Sequence, residues 1–384
     1  MNPFEFRTVP SIEVAWEGSQ ILGSILAKRF TARKLLLVTD TGLVQAGIVA
    51  PIEANLKSAG FSISIFDKVV ADPPESLLFE ALEFAKAAGV DIVLGLGGGS
   101  SLDISKLAAI LIKGEQKLAD MYGIGNVKGG RLPLALIPTT AGTGSEVTNI
   151  SIITTGETTK MGVVSSQLYA DYVLLDASLT IGLPKLHTAA TGIDAMVHAI
   201  EAYTSKHKKN PLSDALAREA LRLLGSNLLT VCKDGTNRAA REAMLLGATL
   251  AGQAFSNSPV AAVHALAYPL GGHYHVSHGL SNALMLGPVL RFNAKAAALL
   301  YAELAEVMDV AGTGDATARS ADFVAYMEKL MDESGAPRRL RDVGVTDNTL
   351  SMLAADAMKQ TRLLMNNPVD VTEADALALY REAY

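Results

Sequence analysis

Short apolar runs alternate with longer amphipathic stretches over the first half of the 384-residue chain. The runs predict strands at 34–40, 61–69, 91–100 and 132–140, and the stretches between them predict helices at 42–60, 75–89 and 101–114. Strands that are apolar on both faces and alternate with helices are typical of a parallel sheet covered on both sides. We therefore predict an α/β domain.

The pattern changes after residues 174–185. From about residue 186 the apolar positions follow helical spacing almost everywhere, and β-branched runs become rare. No internal repeat or low-complexity segment interrupts this pattern. We therefore predict an α/β N-terminal domain, residues 1–183, and an all-helical C-terminal domain, residues 184–384. The cleft between two such domains is where a ligand is expected.

Two glycine-rich turns follow predicted strands. The stretch GLGGGSSLD (95–103) is close to a dinucleotide fingerprint, although the last glycine of that motif would fall at Ser100. Its glycines allow close approach of a pyrophosphate, and the next helix offers free N–H groups. The second turn, PTTAGTGSEVT (138–148), is rich in hydroxyl groups. Two such turns at the carboxyl ends of parallel strands favour nucleotide binding.

Asp40 ends the first clear strand. A carboxylate in this position can accept hydrogen bonds from ribose hydroxyls and repel a 2′-phosphate. Here the acid precedes the glycines, whereas in the standard Rossmann arrangement it follows them by about twenty residues.

A carboxylate and an imidazole share one face of the apolar helix predicted for GIDAMVHAIEAY (192–203). Asp194 and His198 are four residues apart, so both side chains project from the same side. Four of the seven histidines lie in VHALAYPLGGHYHVSHG (263–279). One carboxylate with several imidazoles suits Fe²⁺ or Zn²⁺. The sequence therefore predicts a divalent metal site.

These segments together resemble the iron-containing, group III alcohol dehydrogenase family. The resemblance rests on TAATGIDAMVHAIEAY, HALAYPLGGHYHVSHGLSNA and the two glycine-rich turns, in the family's order, and extends from Lys34 to the NNP at 366–368. It implies a dehydroquinate-synthase-like N-terminal domain, a helical metal domain and NAD(P) in the cleft between them.

The resemblance also implies roles for individual residues. The implied metal ligands are Asp194, His198, His264 and His278. The implied cofactor-binding residues are Asp40, Gly98, Gly99, Ser100, Asp103, Thr139, Thr140, Thr143 and Lys160, and the implied pocket residues are Asn149 and Phe255. Asp40 matches the position associated with a preference for NAD over NADP.

One position departs from the family pattern. Many members carry a second histidine four residues after the third metal ligand, where this chain has Tyr268. A phenol can relay a proton but does not titrate near neutral pH as imidazole does. Tyr268, His273 and His275 are the three candidates for a substitute.

Composition excludes several classes of protein. The net charge of −6 argues against nucleic acid or an anionic membrane as partner. The single cysteine, Cys232, permits no intrachain disulfide and fits a reducing compartment. The N-terminal residues lack signal-peptide features, and no apolar run reaches membrane-spanning length, so we expect a cytoplasmic protein.

The resulting hypothesis is a metal-dependent, NAD(P)-linked alcohol dehydrogenase or aldehyde reductase with Fe²⁺, or alternatively Zn²⁺. A small primary alcohol is the expected substrate, with a hydroxy acid such as 4-hydroxybutyrate as the alternative. A polyol-phosphate dehydrogenase or cyclising lyase is disfavoured, because residues 188–204 contain no lysine or arginine. A non-enzymatic nucleotide- and metal-binding sensor stays open. The extended segment 6–18 favours pairing with a second copy as a homodimer.

Overall fold

The computed structural model describes residues 3–156 and 158–384. Met1 and Asn2 lie outside the described residues, and they are the first residues of the segment from which the absence of a signal peptide was predicted. The chain divides into two compact units. Thr8–Thr140 and Gly144–Gly182 form the sheet unit, whereas Ala141–Thr143 and Leu183–Tyr384, with the residues up to Arg7, form the helical unit. Three residues in the middle of the second glycine-rich turn thus belong to the helical unit.

The sheet unit contains a larger and a smaller sheet. Its strands in chain order are β1 (Ile12–Val14), β2 (Lys34–Val38), β3 (Ser62–Phe66), β4 (Ile92–Gly97), β5 (Gly123–Ile124), β6 (Leu134–Pro138), β7 (Ile150–Thr155), β8 (Thr159–Val164) and β9 (Tyr172–Leu175). Within the described residues, six strands pair in parallel in the order β1-β9-β6-β4-β2-β3. The predicted parallel α/β sheet is confirmed.

The strand order reverses direction at β2. From β2 the chain adds β3 on one side and then β4 on the other. Such a reversal leaves a crevice at the carboxyl ends of the strands, where open α/β sheets bind ligands. The carboxyl ends of β2, β4 and β6 therefore lie side by side at a suitable position for a nucleotide.

Apolar side chains on both faces of the larger sheet explain the continuous apolar runs in the sequence. The helices of this unit are α1 (Leu22–Arg29), α2 (Thr41–Gln45), α3 (Val49–Ser58), α4 (Glu75–Ala88) and α5 (Gly99–Lys113). Leu35, Leu37 and Leu94 pack with Leu22 and Leu56 in one buried cluster. Each such buried side chain contributes about 1.5–3 kcal/mol relative to an exposed one.

The prediction of a single helix at 42–60 is wrong, because two helices, α2 and α3, occupy that segment. Gly47 separates them with a φ of 75°. The N–H groups of Gly47 and Ile48 donate to the carbonyls of Val44 and Leu43, which is the Schellman pattern of a helix end. Only glycine adopts this left-handed conformation without strain.

Two further features differ from the sequence expectation. In the extended segment 6–18, regular strand structure covers only β1, which lies at the edge of the sheet beside β9. The smaller sheet, in the order β5-β8-β7, was not predicted. Its strands β7 and β8 pair as an antiparallel hairpin, and polar residues such as Thr154 and Lys160 obscure their apolar alternation.

The helical unit is built around one buried helix. Its helices are α6 (Lys185–Thr204), α7 (Pro211–Lys233), α8 (Arg238–Asn257), α9 (Ala262–Tyr274), α10 (His278–Asn293), α11 (Ala298–Val307), α12 (Ala316–Ser334), α13 (Leu350–Ala357), α14 (Thr361–Leu364) and α15 (Glu373–Ala383). Nearly all of α6 is buried, and it packs against α7, α8 and α10. Among the described residues, no helix combines the length and apolarity required to cross a bilayer.

Candidate functional site

Three helices of the helical unit bring four potential metal ligands together. Asp194 and His198 lie one turn apart on α6, His264 lies in the first turn of α9, and His278 begins α10. One ligand atom from each lies within 4.8 Å of the others. The four residues that the sequence predicted as ligands therefore converge on one point.

The carboxylate is the centre of this cluster. Oδ1 of Asp194 lies 3.9 Å from Nε2 of His198, 3.9 Å from Nε2 of His264 and 3.6 Å from Nε2 of His278. Four ligands at the usual bond length of about 2.1 Å would be roughly 3.4 Å apart in a tetrahedron. The three separations from Asp194 are close to that value, and all four ligand atoms lie within 4.8 Å of one another.

The protonation states also suit a metal. Burial lowers the pKa of His198 to about 3 against the opposing attraction of Asp194, so its imidazole is neutral at physiological pH. Burial alone would raise the pKa of Asp194, but the three imidazoles and a hydrogen bond from Asn282 outweigh it and lower that pKa. An ionised carboxylate and a neutral imidazole are the forms that bind metal ions.

Asn282 adds a further polar group that sequence reasoning missed. Its amide nitrogen donates to Oδ1 of Asp194 at 2.5 Å and lies 3.2 Å and 3.3 Å from Nε2 of His264 and His278. Its buried oxygen has no hydrogen-bond partner within the described residues. One carboxylate oxygen and three imidazole nitrogens converge beside this amide, and these are ligand types that Fe²⁺ and Zn²⁺ accept. The donor set therefore fits a divalent cation.

Aromatic rings pack against the imidazoles. The ring of Phe255, on α8, stacks on His198 with centroids 4.3 Å apart and an interplanar angle of 17°. The ring of Tyr268 lies 6.2 Å from that of His278. Both side chains are thus next to the cluster, Phe255 on its buried side and Tyr268 beside the ligand that is most exposed.

The other two candidates for the missing family histidine lie elsewhere. Nε2 of His273 is 2.8 Å from a carboxylate oxygen of Asp356, on α13. His275 ends α9 in a left-handed conformation with a φ of 55°. Of the three candidates, Tyr268 is therefore the one whose ring contacts a ligand of the cluster.

Glu201 is a second residue that sequence reasoning missed. It lies one turn beyond His198 on α6 and is buried. Its carboxylate oxygen Oε2 is 2.7 Å from Nδ1 of His264. The i, i+4, i+7 spacing of Asp194, His198 and Glu201 was the available signal, since these positions share one helix face.

The predicted nucleotide residues of the sheet unit meet at the strand ends described above. A β-carbon placed on Gly97, at the end of β4, would lie 3.6 Å from Oδ2 of Asp40, which follows β2. One placed on Gly98 would lie 3.5 Å from the methyl group of Thr140, which follows β6. The acid, the glycine turn and the threonine turn are therefore neighbours across three adjacent strands.

The glycine turn leads directly into the amino end of α5. Gly98 is the N-cap residue, and Gly99 and Ser100 form the first turn, where backbone N–H groups are free of intrahelical partners. Gly97 has a φ of 154°, and a β-carbon there would lie 2.7 Å from the side chain of Ser101. A larger residue at position 97 would thus block the turn as well as strain it.

The second turn is fixed to α5 by a buried lysine. Lys106 is 0% exposed, and its ammonium donates to Oγ of Ser145 at 2.6 Å and to the carbonyl of Ile150 at 2.7 Å. It also donates to Oγ1 of Thr148 and pairs with Asp103 at 3.3 Å. Burial lowers the pKa of Lys106, and the nearby carboxylate of Asp103 opposes this.

Asp103 is engaged in the same network. Its Oδ1 accepts a hydrogen bond from Ser145 at 2.5 Å, and its Oδ2 accepts one from the backbone N–H of Ile152 at 2.9 Å. The structure therefore places this carboxylate between α5 and the chain that follows the second turn. Its predicted contact with a cofactor stays a prediction.

The remaining predicted residues are dispersed. Thr139 is buried at the end of β6, and Thr143 belongs to the three residues that cluster with the helical unit. Lys160, on β8, forms an ion pair with Asp72 at 2.6 Å, and burial lowers its pKa. Asn149 is half-buried just before β7.

Comparisons with known proteins agree over nearly the whole chain. A family model described as iron-containing alcohol dehydrogenase matches residues 18–177, and its C-terminal counterpart matches residues 188–384. The long-chain-alcohol dehydrogenase 1 of Geobacillus thermodenitrificans (strain NG80-2) is 40% identical over 365 residues, which cover 93% of this chain and 91% of that protein.

Solved structures show the same architecture. A crystal structure of a 1,3-propanediol oxidoreductase superposes with a TM-score of 0.96 at 34% identity and covers 100% of both chains. The sulfoacetaldehyde reductase of Bifidobacterium kashiwanohense, solved in complex with NAD⁺, superposes with a TM-score of 0.88 at 26% identity and covers 100% of this chain and 99% of that chain. With both family models matched in succession and relatives aligned from end to end, this chain belongs to the iron-containing alcohol dehydrogenase family.

Proposed function

We propose that this protein is a metal-dependent, NAD-linked dehydrogenase that interconverts small primary alcohols and their aldehydes. The observation that carries the proposal is the convergence of Asp194, His198, His264 and His278, with ligand atoms within 4.8 Å, in a chain of this family. The nucleotide-binding features at the ends of β2, β4 and β6 support the cofactor assignment.

The four converging residues would hold Fe²⁺, with Zn²⁺ as the alternative, because both ions accept carboxylate and imidazole ligands. A divalent ion in this position supplies Lewis acidity towards an alcohol or carbonyl oxygen, while a nicotinamide accepts or donates hydride. The protein keeps the imidazole of His198 neutral and the carboxylate of Asp194 ionised, so both are ready to bind. Phe255 covers the ring of His198 and excludes water from that side.

Tyr268 is the proposed proton relay. Its hydroxyl would accept the proton of the alcohol while it releases its own proton to solvent, and the reverse transfer would protonate the aldehyde oxygen during reduction, which a phenylalanine cannot do. Tyr268→Phe should therefore lower kcat by roughly a hundredfold, in the range typical of general acid–base groups. Steady-state kinetics should show no such loss for Tyr274→Phe, whose hydroxyl on the same helix contacts Thr349. An unchanged kcat in Tyr268→Phe would contradict the role.

NAD should be preferred over NADP. The Asp40 carboxylate faces the glycine turn, where the 2′-phosphate of NADP would meet like charge. Asp40→Gly should raise kcat/KM with NADP at least about tenfold, equivalent to about 1.4 kcal/mol of transition-state stabilisation. Asp91→Asn is the matched control, since Asp91 precedes β4 at the opposite end of the strands. A wild-type preference for NADP would show that Asp40 does not perform this discrimination.

The substrate is expected to be neutral. Phe255, Tyr268 and Asn282 beside the ligands carry no charge, and α6 carries no lysine or arginine from Thr188 to Thr204 that could bind an anionic substrate. An anionic alternative such as 4-hydroxybutyrate would require a cation for its carboxylate, and Arg362, half-buried on α14, is the candidate.

A kinetic panel tests the proposed function. Straight-chain alcohols, diols and hydroxy acids are compared with NAD in iron-loaded and zinc-loaded enzyme. Primary alcohols or diols should give the highest kcat/KM. Hydroxy acids that exceed the matching alcohols more than about tenfold, or about 1.4 kcal/mol, would replace the neutral-alcohol assignment. Absence of NADH formation with every compound would favour the sensor alternative.

A homodimer is the proposed assembly. β1 lies at the edge of the parallel sheet, and Val14 and Ile21 near it are among the exposed large apolar residues. Edge strands of this kind tend to pair with another chain. Light scattering at micromolar concentration should give about twice the chain mass of 40.3 kDa. A mass of one chain would contradict the dimer.

A further inference from the structure

Glu201 makes all of its observed hydrogen bonds to the amino end of α9. Its Oε2 accepts from the backbone N–H of Ala261 at 2.9 Å and contacts Nδ1 of His264 at 2.7 Å. Its Oε1 accepts from the backbone N–H of Val263 at 2.7 Å. The carboxylate thus caps the helix that carries His264 and also forms a hydrogen bond with the imidazole of His264.

The contact with His264 decides which nitrogen of that ring is free. Both oxygens of the Glu201 carboxylate accept hydrogen bonds from backbone N–H groups, so in its contact with Oε2 the Nδ1 atom of His264 is the donor and carries the ring hydrogen. Nε2 then carries the lone pair, and this atom is the one that faces Asp194 at 3.9 Å. Glu201 therefore selects the tautomer that a metal at the cluster requires.

Charge balance gives Glu201 a second effect. Asp194 and Glu201 are both buried carboxylates on one face of α6, and two negative charges match one divalent cation. The three imidazoles add ligand atoms without adding charge when neutral. Buried charges are stable when they are paired, so the second carboxylate increases the affinity for a doubly charged ion.

We propose that Glu201 is a positioning residue of the metal centre, which fixes the tautomer and orientation of His264 and thereby sets the affinity for a divalent cation. This rests on the metal assignment made above. Outer carboxylates that hold a ligating histidine typically change metal affinity by 10–100-fold. Glu201 is not one of the four converging residues, so it would act on a bound ion chiefly through His264.

The test uses Co²⁺, whose visible spectrum reports its coordination. Metal-free wild-type protein and Glu201→Gln are titrated with Co²⁺ in competition with a chelator. Glu201→Gln keeps the size of the side chain but removes its charge, and its Kd should rise 10–100-fold. Glu303→Gln is the control, since Glu303 contacts the same helix at Tyr203, away from the cluster. It should leave Kd unchanged.

Repeating the titration in a His264→Ala protein distinguishes positioning of His264 from a general weakening of metal binding. If Glu201 acts chiefly through His264, Glu201→Gln should raise the Kd for Co²⁺ by a larger factor in the wild type than in His264→Ala, whose weaker binding is measured by direct titration with excess Co²⁺. An equal loss in both backgrounds, or a wild-type effect below about twofold, overturns the proposal. Failure of the wild type to bind one equivalent of Co²⁺ would instead overturn the metal assignment itself.

A measurement on unsubstituted protein covers the case in which Glu201→Gln does not fold. Metal-free protein labelled with ¹⁵N-histidine reports which ring nitrogen of His264 carries the hydrogen, with His264→Ala identifying the signal. Hydrogen on Nδ1 supports the proposal. Hydrogen on Nε2 overturns it.

Discussion

His264→Ala should yield a folded protein that has lost its bound metal and nearly all activity. Removing one of four ligands leaves two imidazoles and a carboxylate, and Glu201 loses its contact with the ring. We expect less than about 0.1 equivalent of metal after dialysis and a fall in kcat/KM of at least about a thousandfold, or roughly 4 kcal/mol. Elemental analysis and steady-state kinetics measure the two effects.

The fold should survive because Glu201 keeps two backbone hydrogen bonds, from Ala261 and Val263. Circular dichroism is expected to match the wild type. His273→Ala provides the control on the same helix, since His273 pairs with Asp356 outside the cluster. His278→Ala should behave as His264→Ala does. One equivalent of metal retained in both His264→Ala and His278→Ala would rule out this ligand set.

Lys106→Met should destabilise the sheet unit by about 3–5 kcal/mol. The substitution leaves the half-buried carboxylate of Asp103 without its cationic partner, and it removes two hydrogen bonds to the second turn and one to the carbonyl of Ile150 in β7. Breaking one partner of a buried ion pair costs about this much free energy of unfolding. Urea denaturation followed by circular dichroism measures the loss, with exposed Lys113→Met on the same helix as the control.

A double substitution tests the reason for that effect. Lys106→Met combined with Asp103→Asn removes both charges, so the combined loss should be smaller than the sum of the two single losses. Strict additivity would mean that Lys106 stabilises the unit independently of Asp103, through its other hydrogen bonds and its packing. Because the second turn carries Thr139 and Thr140, KM for NAD should rise in Lys106→Met while the metal content stays at that of the wild type.

The sequence predicted the features that depend on local pattern. The parallel strands were visible because their apolar residues are continuous, and the pairing of Asp194 with His198 was visible because four residues make one helical turn. The segment 263–279 stood out because it contains four histidines, whereas the choice of His264 and His278 among them came from the resemblance to the family. These signals lie within short stretches, so no tertiary information was required.

The rest depends on contacts between distant segments. Glu201 appears in the sequence as an ordinary helix acid, and only the fold brings it to α9, some sixty residues away. Lys106 has the spacing of any helix lysine, yet it is completely buried by the turn that follows β6. The split between α2 and α3 depends on the left-handed conformation of Gly47. The sequence does not reveal it, because glycine also occurs within intact helices.

The four predicted ligands are unequally buried, and this affects how a metal ion would be captured and released. The side chains of Asp194, His198 and His264 are at most 4% exposed, whereas that of His278 is 33% exposed. Rotation of His278 is therefore the least hindered first step of metal release, and its return is the last step of capture. Chelators and oxidants should reach the ion from the His278 side, and exchange rates should follow the mobility of that one ring.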